Sequence, residues 1–254
     1  MSQVSEQNAS VATMCDLWPD LVARATALCR AVAGRDLDGM PLYILLQSEV
    51  ADVMGEANFS DGYTTPNLDL NLRSCIGDAW RGRGPCMVLN DVSIADEHFP
   101  EDVDFVAFST VLHELAHILD RPEPVDLQTL PTDDRIEFET LVIANAVQHE
   151  YRPLPVAYYG HEDAFIRIVL HLHYRATVAG VKTIPNLLCA GRRYGLSHAH
   201  RYMESLGDEP AAMADMTFQD ITQVPPPAEF SELWLSDVKR YDECYPQTLS
   251  GVLS

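Results

Sequence analysis

The chain has 254 residues, 47% of them hydrophobic, so it can bury a large core in one large domain or two small ones without disulfide or metal staples. Its 38 acidic against 17 basic side chains leave a formal net charge of −21, which repels a phosphate backbone, so no nucleic-acid partner is expected. No segment is apolar enough to span a membrane, and Met1 to Ala12 lack the basic start and apolar run of a secretory signal. A cytoplasmic protein without a membrane partner is therefore expected.

The six cysteines, Cys15, Cys29, Cys75, Cys86, Cys189 and Cys244, form no CxxC pair. Free thiols are the expectation, with a disulfide between two of them left open.

In chain order, residues 1–12 read as a disordered start. Trp18, Leu21, Val22, Ala25, Leu28, Cys29 and Val32 then recur at helical spacing up to Gly34. Leu42 to Leu46 predicts a buried strand after Pro41. From Asn58 to Gly84 the chain is dense in Gly, Asp, Asn and Thr and predicts mostly loop, with a possible alternating strand at Leu68, Leu70 and Leu72. A second strand is predicted at Cys86 to Asn90, and a helix over about Val103 to Asp120 that Pro122 stops. Thr132, Asp133 and Asp134 are N-cap candidates for a helix over roughly Arg135 to His149. Further helices are expected from Gly160-His161 to about Ala179 and around Ile184 to Leu206. Beyond Asp208, Pro225-Pro226-Pro227 reads as a stiff connector, with Trp234 and Leu235 in a tail that could dock back. Strands first and helices after make the expected fold class α+β.

The chemistry concentrates in His113-Glu114-Leu115-Ala116-His117, an HExxH pattern inside the predicted helix. Residues four apart on a helix share a face, so both imidazoles can reach one metal ion while Glu114 projects beside them toward a metal-bound water. Zinc acidifies such a water, the carboxylate takes its proton, and the hydroxide attacks a carbonyl that the same ion polarises. The flanking Phe108, Val111, Leu112, Leu115, Ala116, Ile118 and Leu119 are apolar, as a buried helix requires. The competing reading is a metal-free core helix whose histidines are hydrogen-bonded and whose Glu114 pairs with an arginine.

Catalytic zinc needs a third protein ligand. His161, at the start of the predicted helix Gly160-His161-Glu162-Asp163-Ala164-Phe165, is the first candidate. Glu139 is the alternative, with Glu137 behind it, both on the helix after the motif helix. Asp120 could ligate, or hold a histidine through its second ring nitrogen. His171 and His173 are two apart on a predicted helix and face different ways, so one core and one surface histidine are expected. Tyr158, Tyr159 and Tyr174 are candidate oxyanion donors, and Arg81-Gly82-Arg83 is a small basic spot adequate for a substrate carboxylate.

The stretch Val111 to Leu119 resembles the zincin metallopeptidase signature. Gly160-His161 with Phe165 resembles the later histidine-helix element of SprT-like minimal peptidases. The resemblance implies a zincin-like fold, a small N-terminal sheet packed on the HExxH helix with a mainly helical C-terminal half. It implies zinc held by His113, His117 and His161, Glu114 as general base, and the Cys86–Asn90 strand as the edge that binds an extended peptide. The implied domain spans residues 13–207, followed by a Pro-containing tail over 208–254. The long insertion before His161 and the acidity depart from SprT-like proteins and argue against DNA-linked substrates. Asp120 and Glu123 stand where metzincins carry a glycine and a third histidine, and Glu139 as ligand would bring the chain nearer to gluzincins. The expected function is zinc-dependent peptide-bond hydrolysis of a peptide or protein substrate. The alternative is a non-catalytic zincin-fold binding or regulatory protein.

Overall fold

Three short strands form one sheet in the computed structural model of the chain, which describes residues 18–54, 61–65, 67–97, 99, 101–120, 162–185 and 195–244. Strands β1 (Tyr43–Leu46), β2 (Gly62–Thr64) and β3 (Cys86–Leu89) lie in the order β1-β3-β2. β1 pairs with β3 in parallel, Tyr43 opposite Cys86 and Leu46 opposite Leu89. β2 pairs antiparallel, Gly62 opposite Leu89 and Thr64 opposite Met87.

Side chains alternate across a pleated strand, and here they sort into two cores. Ile44, Leu46, Met87 and Leu89 face the main core with helix α1 (Trp18–Ala33). Tyr43, Cys86 and Val88 face a second, smaller core. It is closed by Val50 of α2 (Gln47–Met54), Leu68 of α3 (Leu68–Asn71), the linker residue Leu72, and Ile76 of α4 (Arg73–Ile76). The leucines at 68, 70 and 72, predicted as an alternating strand, are helical turns instead. Leu68 and Leu72 are buried and Leu70 is exposed, the i, i+4 pairing of a helix.

After β3, Asn90 Oδ1 accepts from Ser93 N–H at 3.1 Å at the start of α5 (Asp91–Glu97), as an N-cap asparagine does. Helix α6 (Val103–Leu119) then crosses beneath the sheet, with Ala107, Val111 and Leu115 fully buried. Arg24 of α1 donates to both carboxylate oxygens of Asp104 at 2.5 and 2.8 Å and so ties the two helices at one end. Helix α7 (Asp163–Val178) packs on α6, with Phe165 against both histidine rings and Ile168, Val169 and Leu172 in the main core.

The segment expected as a tail is helical and built into the main core. It carries α9 (Glu209–Ala212), α10 (Phe218–Gln223) and α11 (Ala228–Cys244) after α8 (Gly195–Leu206). Phe218, Ile221, Phe230 and Trp234 join the main core, and Tyr202 donates to Asp237 across α8 and α11 at 2.8 Å. Arg175 of α7 donates to the carbonyls of Val32, Met213 and Met216 and lies over the Phe218 ring at 4.3 Å. One half-buried arginine therefore links the first helix to the last third of the chain.

Cys29, Cys75 and Cys86 are free thiols, and burial pushes those of Cys29 and Cys86 up to about 12. Among the described residues no helix is long and apolar enough to cross a membrane. The α+β class holds, with a three-stranded sheet and a majority of helices.

Candidate metal centre

Helix α6 carries the HExxH residues on the part of its surface that meets the sheet edge and α7. His113 and Glu114 are buried and His117 is half-buried. The two imidazoles turn their Nε2 atoms toward each other at 3.2 Å, with ring planes 85° apart. Two nitrogens each about 2.0–2.1 Å from a tetrahedral zinc stand roughly 3.3 Å apart, so the pair already has the spacing of two ligands. The same separation serves a hydrogen bond when one Nε2 carries a proton.

Phe165, from the first turn of α7, holds this arrangement from one side. Its ring centroid lies 5.0 Å from that of His113, edge to face, and 4.4 Å from that of His117, tilted by 30°. With no exposed surface itself, it covers one side of both imidazoles and restricts their rotation.

Glu114 lies under the edge strand. An ideal Cβ built on Gly62 would stand 2.6 Å from Thr110 Cγ2 and 3.0 Å from both Cγ and Oε1 of Glu114. The β2 backbone thus rests on the Glu114 side chain. Asn90 N–H donates to the Asp61 carbonyl at 2.8 Å, which extends the antiparallel register by one residue. In that ladder the main-chain polar groups of Asp61 and Tyr63 face β3, and those of Gly62 point to the open edge.

This pairing corrects the expected peptide-binding edge. The Cys86–Leu89 strand is central, buried along its whole length between β1 and β2. Its main-chain groups are already committed on both sides. The edge beside Glu114 is β2, three residues long within a segment expected to be mostly loop.

His161, Glu139 and Glu137, and the tyrosines at 158 and 159, lie outside the described residues. Among the described residues no group of three or more His, Cys, Asp or Glu side chains could hold a metal ion. Asp120 ends α6 and is grouped with Glu162 and Asp163 at the start of α7. Burial, then the charges of those two residues, pushes its carboxyl up to about 7.

The remaining candidates have structural partners. His171 is fully buried, with Nε2 2.8 Å from Glu209 Oε1. His173 is half-buried, where one of the two was expected at the surface, and contacts Thr183 Oγ1 through Nδ1 at 2.8 Å. Tyr174 lies nine residues beyond Phe165, about 13 Å along the helix axis, too far to serve the histidine pair. The guanidinium of Arg83 is held by Asp69 at 2.8 Å and Asn67 at 2.7 Å. Arg81 donates to the carbonyls of Asp78 and Trp80, so the basic spot braces a loop before β3. Gly62 and Phe165 come to the HExxH residues from distant parts of the chain and Thr110 from one turn earlier on α6, and of these only Phe165 carried a sequence signal, as part of the helix after His161.

No protein-family model, no curated protein and no solved structure matches the chain.

Proposed function

We propose that the chain is a zinc-dependent metallopeptidase with a zincin-like fold. His113, His117 and His161 hold the metal, Glu139 is the alternative third ligand, and Glu114 is the general base. The observation that carries this reading is the pair of Nε2 atoms 3.2 Å apart beside a buried glutamate under a sheet edge. When bound, zinc supplies the Lewis acidity that polarises a carbonyl and acidifies a water.

The chain's own residues do the rest. The open side of β2 receives an extended peptide by main-chain hydrogen bonds, which brings its carbonyl over α6. Glu114 removes a proton from the attacking water as the new carbon–oxygen bond forms. It then returns that proton to the nitrogen as the carbon–nitrogen bond breaks, giving a carboxylic acid and an amine. Phe165 and the sheet edge exclude bulk water, so the carboxylate acts in a low-dielectric setting.

Elemental mass analysis of wild type, His117→Ala, His161→Ala and Glu139→Ala tests the ligand set. Zinc in the wild type, lost in His117→Ala and His161→Ala and kept in Glu139→Ala, is the expected result. Wild type without zinc after stoichiometric loading sinks the reading. Glu114→Gln should keep zinc and lose roughly 10²–10⁴-fold in hydrolysis of a proven peptide substrate. Zinc without cleavage of any member of a broad peptide library would replace the enzyme by a non-catalytic binding protein on the same centre.

A further inference from the structure

We infer that Gly62 is a positioning residue for Glu114: the backbone of β2 lies so close over α6 that a Cβ at this position would strike the Thr110 methyl at 2.6 Å and crowd the Glu114 side chain at 3.0 Å. The inference rests on the metallopeptidase reading and deepens it, because it assigns the sheet edge a role in the proton transfer.

Strand alternation puts Gly62 and Thr64 on the α6 side of the sheet and Tyr63 on the side of the smaller core. The α6-facing positions of β1 and β3 are Ile44, Leu46, Met87 and Leu89, which fill the space against the helices, and that of Thr64 on β2 carries a side chain that donates to the Cys86 carbonyl at 2.6 Å. Gly62 alone leaves that space to Glu114 and Thr110. A glycine in a strand weakens it and needs a local reason. Backbone conformation is not that reason, because the glycines with positive φ are Gly39, Gly77, Gly82, Gly180 and Gly207, and Gly62 is not among them. Close approach is. A glutamate has three side-chain rotors, and proton transfer needs its carboxylate within hydrogen-bond reach of one water. Contact with the Gly62 backbone removes the rotamers that would swing Glu114 away from the histidine pair.

The test compares wild type, Thr110→Ser, Gly62→Ala and the Gly62→Ala/Thr110→Ser double variant, with Glu114→Gln as the reference for a lost base. Serine at 110 removes the methyl that a Cβ at 62 would strike at 2.6 Å, and leaves the two 3.0 Å contacts with Glu114. Measured are zinc content, melting, kcat and KM. Acetohydroxamate affinity is also measured on the cobalt-loaded protein by its visible absorption, since that ligand's hydroxyl calls for a carboxylate acceptor beside the metal.

The expected double variant melts cooperatively, holds zinc and keeps KM, while kcat falls by about 10²-fold and hydroxamate affinity falls with it. Wild-type kcat and hydroxamate affinity in the double variant overturn the inference, as does a raised KM with kcat unchanged. Loss of cooperative melting would assign Gly62 to the fold and overturn it as well. These failures leave an active wild type and a silent Glu114→Gln. A wild type without zinc, or an active Glu114→Gln, refutes the metallopeptidase reading itself and takes the inference with it.

Discussion

Phe165 shows how much of the centre depends on one side chain brought in from another helix. It touches both imidazoles and is fully buried, so truncation removes packing and orientation together. Phe165→Ala should destabilise the fold by about 3–5 kcal/mol, as for a buried aromatic leaving a cavity. If the histidine pair holds zinc as proposed, the truncation should also weaken that binding, because the rings regain rotamers. Phe165→Leu refills most of the volume without the ring faces. It is expected to recover most of the melting temperature but less of the zinc affinity measured against a chelator. Equal recovery of both would make Phe165 a packing residue only. At this scale the HExxH residues were legible because a helix places i and i+4 on one face whatever surrounds it. Gly62 lies about fifty residues before Glu114 in the chain, and no local pattern signals that the two touch.

The junction of α6 and α7 makes a different demand. Asp120, Glu162 and Asp163 gather where one helix ends and the next begins, and burial with mutual repulsion pushes the Asp120 carboxyl up to about 7. A carboxyl whose value is raised by folding stabilises fully below its ordinary range near 4, and that contribution is lost as pH rises through 7. Asp120→Asn removes the titration. Its melting temperature should match wild type near pH 4 and exceed it at pH 8, and a constant offset across that range would disprove the linkage. Element boundaries were legible where local chemistry decides them: α1 and α6 fall where spacing and Pro122 put them. Elements that depend on distant partners were not. β2 is three residues of Gly-Tyr-Thr inside a loop-like composition, and it becomes a strand only because β3 offers an open side. α5 was hidden because Asn90-Asp91 closes a strand and caps a helix with the same residues.

For the molecule as a whole, the C-terminal helices are bound to α7 by a buried charge cluster as well as by apolar contact. Arg167 donates to Glu209 Oε1 at 2.8 Å and to the Val224 carbonyl at 2.6 Å, and His171 meets the same carboxylate oxygen at 2.8 Å. The sequence hid this because Pro225-Pro226-Pro227 and the acidic residues after Asp208 look like a solvated connector. In the fold the prolines precede α11, where Ser231 N–H donates to the Pro227 carbonyl, an ordinary helix start. Glu209 is the only carboxylate hydrogen-bonded to Arg167 and His171 among the described residues.

Removing that carboxylate leaves a buried guanidinium without its counter-charge, so Glu209→Ala should lose roughly 3–5 kcal/mol. For a chain of this size that corresponds to a melting temperature lower by about 10 °C. Burial lowers the His171 value against the pull of Glu209. Burial works against the Glu209 carboxylate too, but the hydrogen bonds from His171 and Arg167 outweigh it and hold it below its usual range. Both signs point the same way. A lowered histidine costs stability once pH falls below its ordinary 6.5 or so, because the added proton would sit on Nδ1, which has no partner among the described residues. A lowered carboxylate contributes above its ordinary value and loses that contribution as pH falls through its folded one. Wild type should therefore weaken in two steps, first below about 6.5 and again below about 4. Glu209→Ala should lack the second step, so the gap between the two melting curves narrows in acid. A gap that stays constant from pH 7 to pH 3 would show that Glu209 acts through packing and not through its charge.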